Sequence, residues 1–592
     1  MITLSELRST NFGDPNSKVS VEFPFCDAFL EIVRDIPGRV FDYRNKRWLI
    51  PLGTCKSLVD KVQIYNVSFM SEQLENYVLG DEYRKKSEEE IRKTKERLQN
   101  VVQEKPYEFK IKPYPHQIEG FNKGTTMREL LIGDEQGCGK TSTAAWIADY
   151  RYQHGDIKKC LIVCGVNSVK YNWVAEIHKC TNQDAVVFDQ TGDTAKIKAI
   201  KEWENSDVLF GIINIEALRP KNVSSYNQRR LLAGKIDGPD IPMKELTAEL
   251  NRAAQMVIVD EIHKAKNPTS MQGVALRQLD PAYRIGLSGT PLTNQLLDLW
   301  NILSWVHRCS ISYWAFRNEY CIMGGWDNRE VVGYKNVHAL YGVLRTIMLR
   351  RTKEEVLDLP PKTYETEYVE LSREQRKLYA EAREGILKHL NEMLPTDNPL
   401  AMVLRLRQIT SGLLTSEKQN AKLNRIKAML EEEIIPNGKK AIIFSNWEQE
   451  TAIYKKAFKK FHPAYIVGAT SPKKRQEEVN RFQTDPNCNV IIGTIGAMGT
   501  GLTLNKASYV FFADKAWNET DNEQAEDRAH RIGTSENVTV ITMIAKDTID
   551  EHIEEKLAEK ANLFANVVDG RPAIGRAARR MSNKDLVRSL VE

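Results

Sequence analysis

No two cysteines of this 592-residue chain stand in a Cys-x-x-Cys spacing, and the 9 present (Cys26, Cys55, Cys138, Cys160, Cys164, Cys180, Cys309, Cys321 and Cys488) are dispersed and odd in number. That pattern argues against a disulfide framework and leads us to expect no structural zinc. A reducing compartment, cytosol or nucleus, is the expected setting. Long hydrophobic runs are missing too. Stretches such as Met256-Val257-Ile258-Val259 fall far short of the roughly 18 residues a spanning helix needs, so no membrane partner is expected. Glu6 and Arg8 stand where an export signal would be apolar, so none is expected there. Neither charge sign prevails: Lys+Arg 84 against Asp+Glu 79 leaves +5, which permits a nucleic-acid partner locally and requires none. There is no solenoid-period repeat and no low-complexity tract.

What is present is ample core material. Hydrophobic residues make up 42% of the chain, and at roughly 150 residues per domain three or four compact units are expected. Residues 81–112 carry 18 charged positions out of 32 with only a thin apolar stripe, Ile91, Leu98, Val101 and Val102, which predicts a solvated helical connector. Before it, Phe29, Ile32 and Val33 suit a short amphipathic helix, followed by two strands around an Arg44-Asn45-Lys46 turn. After it, short β-branched runs at 130–132, 161–164, 208–213, 256–259 and 283–287 alternate with helical stretches, the pattern of a parallel sheet with crossover helices. The alternation stops for two helices, the first opened by a Ser372/Gln375 capping box, and resumes at 441–444, 465–467, 490–493, 509–512 and 538–544. The expected fold is α/β, two tandem lobes of parallel sheet with flanking helices and a small α+β module in front. Its segments are 1–80, a connector at 81–110, lobes at 111–352 and 353–570, and a basic tail at 571–592.

Three stretches carry chemistry. Gly133-Asp134-Glu135-Gln136-Gly137-Cys138-Gly139-Lys140-Thr141 sits between a predicted strand and a helix. Backbone N–H groups of such a turn wrap phosphate, a lysine at its end reaches the β and γ phosphates, and a hydroxyl holds Mg²⁺. An ordinary glycine turn is the alternative for this stretch alone, because Asp134 stands where the general motif has glycine. Second, Asp260-Glu261-Ile262-His263 follows a buried strand, where open α/β sheets bind ligands. Adjacent carboxylates at such an edge call for a cation, Mg²⁺, on Asp260, with Glu261 left to orient and deprotonate water; a capped strand end with solvated acids is the alternative. Third, Arg528 and Arg531 are three apart, so on a helix they share a face and could meet developing γ-phosphoryl charge, or simply form a salt-bridged surface.

With these stretches in order, residues 112–562 resemble the Swi/Snf-type ATP-dependent DNA translocases of helicase superfamily 2. Leu287-Ser288-Gly289-Thr290-Pro291 with Asn294, Arg350-Arg351-Thr352-Lys353, Phe444-Ser445, Gly468, Thr500-Gly501-Leu502, Asp514 and Trp517-Asn518 extend the likeness. Pro115-His116, Cys138 and Thr534 depart from it. The resemblance implies two RecA-like lobes, ATP and Mg²⁺ as cofactors, and catalysis by Lys140, Asp260, Glu261, Arg528 and Arg531. It puts Gln117, Asp134, Gly137, Gly139, Lys140, Thr141 and Gln524 on the nucleotide, and Thr141 and Asp260 on the metal. His263, Ser288 and Thr290 would couple the nucleotide to the lobe interface. DNA contacts are expected at Lys170, Asn172, Trp173, Thr494, Thr500 and Trp517. The stretch from Ile36-Pro37-Gly38-Arg39 to Arg47-Trp48, with Tyr320-Cys321, Gly325-Trp326-Asp327, Asn336 and Leu340, looks like the annealing-helicase branch and its small HARP module. That adds Arg39, Arg47 and Trp48 as contacts to single strands or junctions. The expected activity is a DNA-dependent ATPase that translocates on double-stranded DNA and rewinds or remodels forks and junctions. A strand-separating DNA or RNA helicase is the alternative, and, from another class, a nucleic-acid clamp without turnover. Expected location is the cytoplasm of a bacterium or virus-infected cell, or the nucleus of a eukaryote.

Overall fold

The computed structural model describes residues 2–554 except 8, 24–25, 64–65, 166, 221–240, 290–295, 309–310, 325–329, 393–399, 500–501, 518 and 532, and also Ala573–Ile574. It comprises two units, Met1–Asp358 with the returning strand Ala573–Ile574, and a second unit beginning at Leu359. No helix among the described residues is long and apolar enough to cross a membrane.

The first unit holds a seven-stranded sheet, all parallel, in the order Met348–Leu349, Glu129–Ile132, Tyr283–Leu287, Met256–Val259, Cys160–Cys164, Phe210–Asn214, Ala185–Val187. Every residue of Cys160–Cys164 and Met256–Val259 is buried, as strands covered by helices on both faces must be. The two edge strands, Ala185–Val187 and Met348–Leu349, were not anticipated; they are too short to show a pattern. Because the sheet is parallel, Gly133, Asp260 and Ser288 all leave the carboxyl ends of neighbouring strands. That edge is where the fold gathers the predicted nucleotide residues.

The N-terminal segment forms a mixed six-stranded sheet, ordered Ala573–Ile574, Val67–Phe69, Ile2–Glu6, Lys18–Glu22, Arg47–Pro51, Val40–Asp42. Its expected helix is Asp27–Arg34, burying Phe29 and Val33. The expected hairpin pairs Phe41 with Trp48 and Asp42 with Arg47, turning through Lys46 at φ 51°. This module is less separate than anticipated. Its core includes Val332, from the hairpin Cys321–Gly324 and Glu330–Tyr334 of the first lobe. Buried Asn66 closes that joint: its amide nitrogen donates to Val62 O and Tyr334 O, both at 2.7 Å, and its oxygen accepts from Tyr334 N at 2.7 Å. The connector is the helix Asp81–Gln99, with Leu98 buried. The tail beyond Ile574, including Arg576 to Arg580, lies outside the described residues.

The second unit has six parallel strands, ordered Lys362–Val369, Val538–Ala545, Tyr509–Phe512, Ala441–Ser445, Val490–Thr494, Ala464–Ile466. The predicted capping box is present: Gln375 N donates to Ser372 Oγ at 3.2 Å and Ser372 N to Gln375 Oε1 at 3.4 Å. Lys362–Val369 escaped the sequence reading because it is an edge strand on which Val369 alone is buried.

Behind this sheet's carboxyl edge lies a buried polar cluster. Arg407 donates to Asp514 at 2.6 Å, and Lys422 pairs with Asp550 at 2.6 Å. Two cations thus meet two anions, and the fully buried Glu450 is the fifth ionisable group. Burial, and then Asp514, push its carboxyl up to about 8, so it is neutral at pH 7 and accepts the Ser445 hydroxyl. A carboxyl whose folded pKa exceeds its unfolded value costs stability progressively as pH rises from the unfolded value toward the folded one. Glu450→Gln, uncharged at every pH, therefore gains over the wild type by roughly 3–4 kcal/mol on going from pH 5 to pH 8. Urea unfolding at both pH values checks this; an unchanging difference contradicts a neutral Glu450.

Candidate functional site

The phosphate loop leaves Glu129–Ile132 and ends at the helix Lys140–Gln153. Gly137 (φ 85°) and Gly139 (φ 78°) take the left-handed conformation that a side chain would strain. A Cβ on Gly139 would also collide with the Gln117 amide. Gln117 spans this approach, donating to Gly139 O at 3.2 Å and accepting from Tyr114 N at 2.9 Å. Lys140 is turned onto its own loop, its Nζ on Asp134 O at 2.9 Å and Glu135 O at 3.1 Å. His116 bonds Cys138 O at 2.8 Å, and burial pushes its imidazole below the usual value.

Asp134 needs correction. Expected on the nucleotide, its carboxylate is 4% exposed and held by the Arg351 guanidinium, Nε to Oδ1 at 2.9 Å and a terminal nitrogen to Oδ2 at 2.6 Å. Both acceptor oxygens are committed to the fold. The segment around Arg351 continues the clamp, with Gly133 N on Leu349 O (2.6 Å), Glu135 N on Arg351 O (2.9 Å) and Lys353 N on Glu135 Oε2 (2.8 Å). These bonds carry the first unit past the expected boundary at 352 to Asp358.

Across the edge, the acidic pair follows Met256–Val259, with Asp260 N bonded to Val163 O at 2.8 Å. Each carboxylate is steadied by a neutral N–H donor: the Trp173 indole on Asp260 Oδ2 at 2.9 Å and the Gln136 amide on Glu261 Oε1 at 3.2 Å. Burial, then the neighbouring Glu261, raise Asp260 to about 6. Burial opposes ionisation of Glu261 as well, yet His263, Lys140 and Lys264 hold it below the usual carboxylate range. Glu261 sits at φ 49°, a strained position that aims its side chain and is stored at functional sites. His263 lies between the acid and the next strand end, its Nδ1 3.3 Å from Glu261 Oε2 and 2.9 Å from Ser288 Oγ. Thr290 lies outside the described residues. Carboxylate and hydroxyl oxygens from Asp260 and Thr141 are a hard-oxygen donor set of the kind Mg²⁺ takes.

Two of the nominated DNA contacts are overturned. Trp173 is 1% exposed and spends its N–H on Asp260; Lys170 is 4% exposed. Neither presents a surface on which a polynucleotide could lie. Asn172, between them in sequence, is exposed. In the second unit Thr494 ends a strand half-buried, and the half-buried Trp517 ring lies 5.2 Å from the Arg407 guanidinium; Thr500 lies outside the described residues. Gln524 is buried on Glu519–Glu526. The expected arginine helix ends there, and Arg528 and Arg531 follow it in a turn. Arg528 Nε reaches Gly499 O at 3.1 Å and Gln524 O at 3.0 Å, while Arg531 reaches Leu502 O at 3.1 Å and Thr503 Oγ1 at 3.0 Å. Both are therefore anchored on the backbone that follows Val490–Thr494 rather than displayed on one helical face.

Residues 62–413 match the model of the SNF2-related domain, more than half of the chain. The chain belongs to the SNF2-related family. Residues 421–533 match the helicase conserved C-terminal domain. Among relatives of this SNF2-related chain are an uncharacterized ATP-dependent helicase of Mycoplasma pneumoniae, 28% identical over 74% of this chain and 40% of that protein, and the putative ATP-dependent helicase/translocase YwqA of Bacillus subtilis, 28% identical over 78% and 49%. The yeast ISWI chromatin-remodeling complex ATPase ISW1 is 25% identical over 81% and 42%. The chain thus spans half or less of the length of these relatives. A solved Sulfolobus solfataricus SWI2/SNF2 ATPase core in complex with dsDNA is similar at 23% identity and TM-score 0.35, covering 80% of this chain and 96% of that one.

Proposed function

We propose that this chain is a DNA-stimulated ATPase that translocates on double-stranded DNA, with its N-terminal hairpin directing it to forks or junctions. The observation that carries the reading is the meeting of phosphate loop and acidic pair at one sheet edge, joined by the Gln136 bond to Glu261. On binding ATP, Lys140 exchanges the carbonyls of residues 134 and 135 for phosphate oxygens, and Gln117 borders the nucleotide from its place against Gly139. Asp260 and Thr141 hold Mg²⁺, which supplies charge neutralisation when bound. Glu261 orients the attacking water and takes its proton. Arg531, with Arg528, is assigned to the γ-phosphoryl charge, and the loop-bound state of both arginines makes that role conditional on a rearrangement.

The hairpin supports the second half of the proposal. Phe41 stands 5.0 Å from both the Tyr43 and the Trp48 ring, and Tyr43 is 85% exposed. Asp42 Oδ1 accepts from the N–H groups of Arg44 and Asn45, both at 3.1 Å, which fixes the tip. Arg39 and Arg47 steady it as well, on Ile36 O at 3.1 Å and Asp42 at 3.4 Å. An exposed aromatic beside exposed Arg44 and Lys46 suits base stacking with backbone pairing.

ATP turnover by the full chain is expected to rise about tenfold or more with DNA, to a degree set by DNA shape. Tyr43→Ala should weaken activation by forked DNA about tenfold, the loss of one stacked base, with duplex activation kept. Turnover indifferent to duplex, single-stranded and forked DNA refutes the motor. Displacement of a labelled strand without reannealing of melted strands refutes rewinding.

A further inference from the structure

Arg528 and Arg531 stand on the turn that follows the helix Glu519–Glu526, and both ends of that turn are fastened to one short stretch of chain. At its start, the buried carboxylates of Glu526 and Asp527 face a single cation: Lys362 Nζ lies 2.8 Å from Glu526 Oε1 and 3.3 Å from Asp527 Oδ1. The Tyr364 hydroxyl donates to the same Glu526 oxygen at 2.8 Å. At the far end the buried His530 meets Pro360 O at 2.8 Å; a carbonyl can only accept, so Nε2 carries the proton. Between these anchors Ala525 and Ala529 are buried in the core of the lobe. Each assigned arginine is thus the immediate neighbour of an anchored residue, Arg528 of Asp527 and Arg531 of His530.

The anchoring stretch is the first of the second unit, which begins at Leu359. Two prolines restrict its backbone, Pro361 O accepts from Val538 N at 3.1 Å, and Lys362 and Tyr364 belong to the edge strand Lys362–Val369, so the stretch is itself fixed to the sheet. Burial opposes the charge of Lys362, yet Asp527 and Glu526 hold its ammonium above the usual value. Burial likewise pushes the Glu526 carboxyl up, and Lys362 works against that. Without a cation beside them, two neighbouring carboxylates at this depth do not both stay ionised.

We propose that Lys362, assisted by Tyr364, is a positioning residue that keeps the backbone of this turn fixed, so that Arg528 and Arg531 exchange the carbonyls of residues 499 and 502 for phosphoryl oxygens by side-chain movement alone; this rests on the assignment of both arginines to the γ-phosphoryl charge above. A guanidinium on a fixed stem returns to one place at each cycle, as stabilisation of developing charge requires. The phosphate loop and the acidic pair belong to the first unit, so loss of Lys362 should act on kcat and leave KM for ATP near its wild-type value.

Lys362→Met keeps an unbranched stem and removes the ammonium. ATP turnover of the full chain is measured with duplex DNA present, in the wild-type background and in one carrying Arg528→Ala and Arg531→Ala. In the first, kcat should fall about tenfold with KM for ATP within about twofold of wild type, and Lys362→Arg, which restores the cation, should come within about threefold of wild-type kcat. In the second, Lys362→Met should cost no more than about twofold, because the groups it positions are gone. Arg425→Met is the control: it breaks the Arg425–Glu367 pair (2.7 Å) further along the same edge strand and should match the wild type. A tenfold loss that recurs without the arginines, or wild-type turnover by Lys362→Met, overturns the proposal. If the background lacking both arginines itself turns over like the wild type, the arginine assignment fails and takes the proposal with it. Should Lys362→Met not fold, Tyr364→Phe carries the test, since its ring is exposed and only the hydroxyl is lost: kcat lowered about threefold at unchanged KM supports the proposal, and unchanged kcat overturns it.

Discussion

Glu261→Gln is expected to lower the ATP turnover of the full chain by about three orders of magnitude, roughly 4 kcal/mol of barrier, with nucleotide affinity close to wild type. The size follows from what the substitution leaves alone. Gln matches Glu in length and volume, and its carbonyl oxygen can still accept the Gln136 amide that now meets Glu261 Oε1 at 3.2 Å. The strained backbone at φ 49° is a property of the loop between Met256–Val259 and His263, and it stays. The phosphate contacts proposed for the loop at 133–141 are untouched, so binding is expected to persist. What is lost is a carboxylate kept ionised by His263, Lys140 and Lys264 against the pull of burial. The amide cannot take the proton of the attacking water. Steady-state phosphate release, set beside titration of a fluorescent ATP analogue, separates the two effects. A variant that retains a tenth or more of wild-type turnover, a loss of only about 1.4 kcal/mol, excludes Glu261 as the base.

The local geometry was legible in the sequence because it is contiguous. Gly137 and Gly139 mark a turn that needs positive φ, and an acidic pair after four apolar residues marks a buried strand end. Contacts over long sequence separations were not legible. Asp134 was expected on the nucleotide because nothing local announces Arg351 as its partner. Trp173, next to an exposed Asn172, reads as a surface aromatic until the sheet order puts Cys160–Cys164 beside Met256–Val259 and brings the indole to Asp260. Gln136 occupies a position of the loop that its chemistry leaves variable, so its bond to Glu261 had no sequence signal. Helical spacing of Arg528 and Arg531 was a sound inference from the interval of three. The helix stops at Glu526, and past it both guanidinium groups bond backbone oxygens after Val490–Thr494. Strands buried on both faces were found, whereas Lys362–Val369 was missed because its partner, Val538–Ala545, supplies on one side what its own residues do not bury.

Arg351→Met should be the most damaging single change to the first lobe, costing about 4 kcal/mol. The guanidinium makes four charge-assisted bonds, two to Asp134, one to His116 O at 2.6 Å and one to Glu119 Oε2 at 2.8 Å, at 3% exposure. Met fills much of the same volume, so the loss is one of charge rather than packing. It leaves the Asp134 carboxylate, itself 3% exposed, ionised without a partner, and that is the expensive half of a broken buried pair. The consequence reaches the site, because the carbonyls of Leu349 and of Arg351 itself accept from Gly133 N and Glu135 N and so brace the phosphate loop. Urea unfolding followed by far-ultraviolet circular dichroism measures the loss. The pairing argument makes a further demand on the same experiment. Asp134→Asn added to Arg351→Met removes the stranded charge, so the double variant should recover at least about 2 kcal/mol of the deficit. Additive losses would mean that the two side chains stabilise the lobe independently and that the clamp on the phosphate loop is carried by the backbone bonds of residues 349–353 alone.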